Sequence, residues 1–229
     1  LETFEELTDI EILQHGAGLG AIALVKAFLK MPTVLQGSTG TRTPLHAACM
    51  NGQVEVVKLL LAARAPATCP DRKGVQPIHL AAQSSLEVVG LLLSARAKLD
   101  MVTQEKQSTL HFAARAGAPG AIVDEVLKVT SKDGKGKGKG GQSSLKVDAK
   151  DMWGRTPLHW AVVNGHRSMV VKLLGAGADR TLSDDQGETA LAVAERRAQC
   201  RAQDRPADMG ASVFGDIATL LGGSASTAK

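Results

Sequence analysis

TPLHAACMNGQVEVVKLLL occupies residues 43–61. The hydroxyl of Thr43 is suited to cap a helix, and Pro44 to sit in its first turn. Leu45, Ala47, Ala48 and Cys49 then give a thin apolar face that lets another helix come close. After a tight turn, Val56, Val57, Leu59, Leu60 and Leu61 make a second, thicker helix. Such a hairpin cannot bury both apolar faces alone, so stacking of similar hairpins must create the core.

The rest of the chain supplies those hairpins. TPLH at 43–46 returns as QPIH at 76–79, STLH at 108–111 and TPLH at 156–159, with a weaker TALA at 189–192. The spacings are 33, 32, 48 and 33 residues, the third being one period with 15 residues inserted. VEVVKLLL at 54–61 keeps phase with LEVVGLLL at 86–93, IVDEVL at 122–127 and MVVKLL at 169–174. DRKG at 71–74, DMWG at 151–154 and DDQG at 184–187 stand ahead of new units as turns. Self-similarity at this period is the mark of a stacked repeat.

On these phrases, above all 43–61 and TPLHWAVVNGH at 156–166, the chain resembles the ankyrin repeat family. The resemblance covers residues 6–222. It implies an all-α solenoid of helix-turn-helix units with short β-hairpin tips, read as one domain over 1–229. The expected units are 38–70, 71–102, 103–150 and 151–183, with degenerate caps at 6–37 and 184–222. In the first cap, Leu13, Gly20, Val25 and Leu29 match Leu45, Gly52, Val57 and Leu61. The last helix is placed at DIATLL, 216–221.

Several departures from the family pattern set expectations. Arg64 and Arg96 replace the glycine that follows the second helix, seen in GAD at 177–179. They must change the turn or accept backbone strain of about 1 kcal/mol. AAQSSLEVV at 81–89 lacks one residue and the inter-helix glycine, so that turn must be tighter or altered. TQEK at 103–106 lacks the Asp and Gly of the other turns, and Thr109 replaces proline, so the middle of the chain is expected to be irregular. QCRAQDRPADMGAS at 199–212 calls for a lengthened helix or a loop, broken near Pro206.

The chain has 229 residues, 44% hydrophobic and 22% charged, with four Phe, two Trp and no Tyr. Leu, Val and Ala must therefore fill the core, and an aromatic-rich sheet is disfavoured. The formal charge is +4. The insertion SKDGKGKGKGGQSSLK at 131–146 holds five lysines and one aspartate, which accounts for the whole surplus. It reads either as a tolerated flexible loop or as a basic finger for an acidic protein, an anionic membrane or a nucleic-acid backbone. It lacks the spacing of a phosphate-binding loop.

No catalytic, metal or dinucleotide motif stands out, and no cofactor is expected. His46, His79, His111 and His159 repeat in phase, which points to a structural role. The resemblance implies that each bonds the turn backbone and ties neighbouring units. Asp184 matches the turn-forming aspartate, so the Asp184–Asp185 pair is not read as catalytic. Cys49, Cys69 and Cys200 are odd in number and unpaired in sequence, which fits a reducing compartment. No apolar run of membrane-spanning length is present. The cytoplasm is the expected location, with an organelle interior left open because Leu1 stands where a Met would begin a chain.

The expected function is a non-catalytic protein-protein interaction scaffold, an adaptor or a fixed subunit of a larger complex. By resemblance, binding falls on the hairpin tips, the concave face and here the basic loop. The tip residues are Arg72, Lys73 and Val75, then Gln104, Glu105 and Gln107. The next tips give Met152, Trp153 and Arg155, then Asp185, Gln186 and Glu188. The first helices add Met50, Asn51, Gln83, Ser84, Arg115, Val163 and Asn164, and the loop adds Lys135, Lys137 and Lys139. Trp153 is the favoured anchor, because Trp, Met and Arg together have the composition of an interface hot spot; the alternative is that it folds over the 131–146 insertion and covers it. Trp160 follows the fourth histidine where other units have Ala47, Leu80 and Phe112, and is read as core, packed on Phe112. Alternatives are anionic-surface or nucleic-acid binding through 131–146, and an organellar chaperone or targeting factor for one client. Another protein is the expected partner; a small-molecule substrate is not.

Overall fold

A computed structural model describes residues 8–30, 42–132, 146–204 and 210–222. It is helical, and the described residues fall into two compact units that meet in sequence at Gln104–Glu105.

The first unit holds three helix pairs. They are α1 (Asp9–Leu19) with α2 (Ile22–Phe28), α3 (Pro44–Met50) with α4 (Val54–Ala62), and α5 (Pro77–Ser84) with α6 (Leu86–Ser94). First helices pack on first helices, α1 on α3 and α3 on α5; second helices do the same, α2 on α4 and α4 on α6. Leu13, Leu45, Ile78, Val57, Leu60 and Leu92 are fully buried between these layers. The second unit repeats the plan with α7 (Thr109–Ala116) and α8 (Gly120–Lys132), α9 (Pro157–Val163) and α10 (Arg167–Gly175), and α11 (Ala190–Asp204) and α12 (Gly210–Leu220). Leu110, Ile122, Leu158, Met169, Leu173 and Ile217 form its interior.

The first helices start alike. Thr43, Ser108 and Thr156 are extended residues at the caps of α3, α7 and α9. Three residues on, the histidine Nδ1 accepts the cap backbone N–H, at 3.0 Å for His46 and 3.2 Å for His159. Gln76 takes the cap position of α5, and its side-chain oxygen is buried with no partner among the described residues. The missing residue after α5 is absorbed by Ser85, which ends α5 and caps α6 at once. Its backbone is extended, and its hydroxyl accepts the Val88 N–H.

The chain keeps its turns where the sequence suggests irregularity. Arg64 and Arg96 adopt left-handed backbones (φ 62° and 65°), so these turns keep the glycine geometry and carry its strain. Lys106 does the same (φ 57°) where Gly74, Gly154 and Gly187 stand in the other tips. α11 is the lengthened helix expected from 199–212, while Pro206 lies outside the described residues. α12 begins at Gly210, six residues before the DIATLL phrase assigned to the last helix. The tips are too short for strands; Ser183 and Thr189 form an isolated antiparallel bridge.

Candidate functional site

Each tip is a tight turn organised by its first residue. One carboxylate oxygen of Asp71 accepts the backbone N–H groups of Lys73 and Val75, at 2.8 and 2.9 Å. Asp151 does the same for Trp153 and Arg155, and Asp184 for Gln186 and Glu188. Burial works to raise the Asp184 carboxyl, but the two N–H groups and the Arg155 guanidinium at 3.5 Å outweigh it and hold the group below its ordinary value. Asp184 is thus a turn builder, and Asp185 beside it is exposed.

Successive tips are joined by backbone. Gln104 N–H donates to the Lys73 carbonyl within the first unit. In the second, Met152 N–H donates to Glu105 and Asp185 N–H to Trp153. The histidines join the turns from beneath. Nε2 of His46 and His79 faces the carbonyls of Val75 and Met101; Nε2 of His111 and His159 faces those of Arg155 and Glu188, all at 3.0–3.1 Å. A carbonyl can only accept, so Nε2 carries the proton and Nδ1 is the acceptor. Burial pushes all four imidazoles below their ordinary range, against the pull of those carbonyls. They are neutral structural ties.

With the backbone fixed, the side chains at the middle of each tip are free to vary. Arg72, Lys73, Gln104, Met152, Trp153, Asp185 and Gln186 are exposed, and Glu105 is half-buried. The position after each turn is less exposed than expected. Val75 and Gln107 are buried. Arg155 and Glu188 at that position are half-buried and engaged, Arg155 with Asp184 and Glu188 with Arg196 at 2.8 Å. On the first helices, Asn51 donates to the Gly18 carbonyl at 2.9 Å and Ser84 to that of Cys49 at 2.7 Å. Both tie adjacent helices and are less available than the sequence suggests. Met50 and Arg115 stay exposed. Lys135, Lys137 and Lys139 lie outside the described residues.

The largest departure concerns Trp160. It is half-buried at the surface rather than sealed in the core. An indole N–H needs a partner, and this one donates to the second carboxylate oxygen of Asp151 at 2.8 Å. That bond turns the ring toward its own tip. There Trp153 meets it edge to face, with centroids 6.4 Å apart and planes at 69°, and the Arg155 guanidinium lies 5.7 Å from the Trp160 centroid. Trp153 is 40% and Met152 50% exposed. The second unit therefore carries an apolar corner of two indoles and a thioether, floored by a buried carboxylate. The signal in the sequence was the pair Asp151 and Trp160, a turn acid nine residues ahead of a side chain that must donate.

The described residues bring no three His, Cys, Asp or Glu side chains together as a metal site. Burial pushes the Cys49 thiol up to about 12, so it stays protonated and unreactive. Among the described residues no helix is long and apolar enough to cross a membrane.

Comparison with known proteins agrees with the repeat geometry. A family model described as ankyrin repeats (3 copies) matches residues 13–103 and 110–202. A stretch of 39 residues is 51% identical to a protein named "Putative palmitoyltransferase ZDHHC13" from Danio rerio. The match covers 17% of this chain and 6% of that protein, little more than one repeat.

Proposed function

Since the chain belongs to the ankyrin repeat family, whose repeats generally mediate protein–protein interaction, we propose that it is a non-catalytic binding module whose main anchor is the Met152–Trp153–Trp160 corner. It serves as an adaptor or as a fixed subunit of a larger complex. One observation carries this reading: two indoles meet edge to face at a tip, one of them 40% exposed, with the Trp160 ring and the Trp153 backbone both bonded to Asp151. A preorganised aromatic surface loses little side-chain freedom on binding, which is what gives an interface hot spot its strength. Neighbouring polar tip residues, Glu105 and Gln186 among them, form the rim, and the lysines of 131–146 add basic charge to the chain.

Capture from an extract of the source cell tests the reading, using the intact chain, Trp153→Ala and a chain lacking 131–146. The expected result is a protein partner whose capture falls about tenfold or more with Trp153→Ala and depends moderately on salt. A partner lost only on removing 131–146, with steep salt dependence, places the binding in the basic finger instead. Capture of no partner by the intact chain defeats the module reading.

A further inference from the structure

The described residues include three non-glycine residues with left-handed backbones, Arg64, Arg96 and Lys106. All three are basic and exposed. Sister repeats show what the fold prefers at these positions. Gly177 (φ 85°) stands where Arg64 and Arg96 do, and no atom would crowd a side chain there. The choice of arginine is therefore not forced by space, and it strains the backbone at each site.

Fold stability offers a partial offset only. A base near a helix C-terminus gains from the helix dipole, but less than a left-handed backbone costs a residue other than glycine. A base in the last turn would gain the same without strain, yet neither α4 nor α6 has one. Nor do Arg64 and Arg96 meet a carboxylate among the described residues. The acids paired in this stretch go elsewhere: Asp71 to Arg42, and Glu55 and Glu87 to Lys58. Across 42–104 there are seven bases against four acids. Arg64 and Arg96 belong to one unit and follow α4 and α6, which pack on each other. Packed helices lie about 8–10 Å apart, so the backbones at Arg64 and Arg96 stand one repeat step apart at equivalent positions.

We propose that Arg64 and Arg96 are a two-point anchor for an acidic segment of a partner protein, one carboxylate to each guanidinium. A helical partner with acidic residues two turns apart on one face matches the step, since two turns rise about 11 Å. Nucleic acid fits less well, because its affinity comes from many closely spaced phosphates and this stretch has a surplus of only three charges. The site is separate in sequence and chemistry from the indole corner, and it stands whether or not that corner binds.

Titration of the full chain with a fluorescein-labelled helical peptide bearing glutamates two turns apart tests it. A single-stranded oligonucleotide and vesicles of phosphatidylcholine with phosphatidylserine run in parallel. The expected result is peptide binding that weakens about tenfold in the Arg64→Gly, Arg96→Gly double variant. Binding should recover in Arg64→Lys, Arg96→Lys and be unchanged in Arg180→Gln, an exposed arginine of the other unit. The glycine variant should melt at or above the parent temperature, since its strain is relieved. The proposal is overturned by no peptide binding to the parent, by unchanged binding in the glycine variant, or by a lower melting temperature for it. Tighter binding of the oligonucleotide or the vesicles through the same arginines overturns it too.

Discussion

At the start of α9, Thr156, Pro157 and His159 do what Thr43, Pro44 and His46 do at the start of α3, nearly atom for atom. At the tips, Met152 and Trp153 stand where the other unit has Arg72 and Lys73, although Asp151 and Asp71 hold the turn identically. The two regions are a few residues apart in every repeat, yet one conserves its side chains along the chain and the other only its backbone bonds. The difference follows from what each hydrogen bond uses. A helix entrance is closed by side chains, so its side chains repeat. A tip is closed by one acid and by main chain, so its middle residues are left free to vary.

Acid tests the entrance side of that comparison and has the largest expected effect. The four buried imidazoles are held below the ordinary value of 6.5, and each is bound in its neutral form. As pH falls below about 6.5, the unfolded chain takes up protons before the folded one does. Stability is therefore full above that pH and declines below it, until the folded imidazoles themselves protonate. Each histidine contributes a slope of up to about 1.4 kcal/mol per pH unit. Urea midpoints at pH about 7.5 and about 5.5 should differ clearly, and equal midpoints would show that the histidine ties are not what holds the entrances.

The next effect is smaller and concerns the tip that breaks the pattern. Thr103 and Lys106 replace the acid and glycine of the other tips, yet Gln104 and Glu105 make the same backbone bonds to neighbouring tips. Lys106 pays for this with a left-handed backbone. Lys106→Gly should raise stability by about 1 kcal/mol, seen as a higher urea midpoint. A fall in the midpoint would mean that the lysine side chain holds the turn, and the tip would then resemble the entrances after all.

Most of the fold was legible because the signals are local and recur. Thr43 with His46, the glycine at 20, 52 or 165, and the apolar spacing of α4 and α6 are each set within a few residues. Stacking then follows from faces that one hairpin cannot bury. The departures were legible as sites of trouble but not in their outcome. Whether Arg64 would bend the turn or bear the strain depends on how strongly the following alanine, Ala65, is bound in place by its N–H bond to the Leu60 carbonyl. Trp160 was misplaced for a similar reason. Position in the repeat gives the depth of the Cβ, but the ring's direction was decided by a hydrogen bond to Asp151 that no hydrophobic pattern contains.

The smallest expected effect isolates the tip side. Trp153 is 40% exposed, and its backbone N–H and carbonyl, not its ring, join the turn to Asp151 and to Asp185. Its ring touches Trp160 edge to face, a contact worth about 0.5–1.5 kcal/mol where fully formed and less at a surface. Trp153→Ala should therefore lower stability by no more than about 1 kcal/mol, measured by urea unfolding with the remaining indole of Trp160 as the fluorescent reporter. So small a cost would fit the binding role proposed for Trp153. A loss of several kcal/mol would instead make Trp153 a member of the core, and the distinction between entrances and tips would fail at the repeat where it matters most.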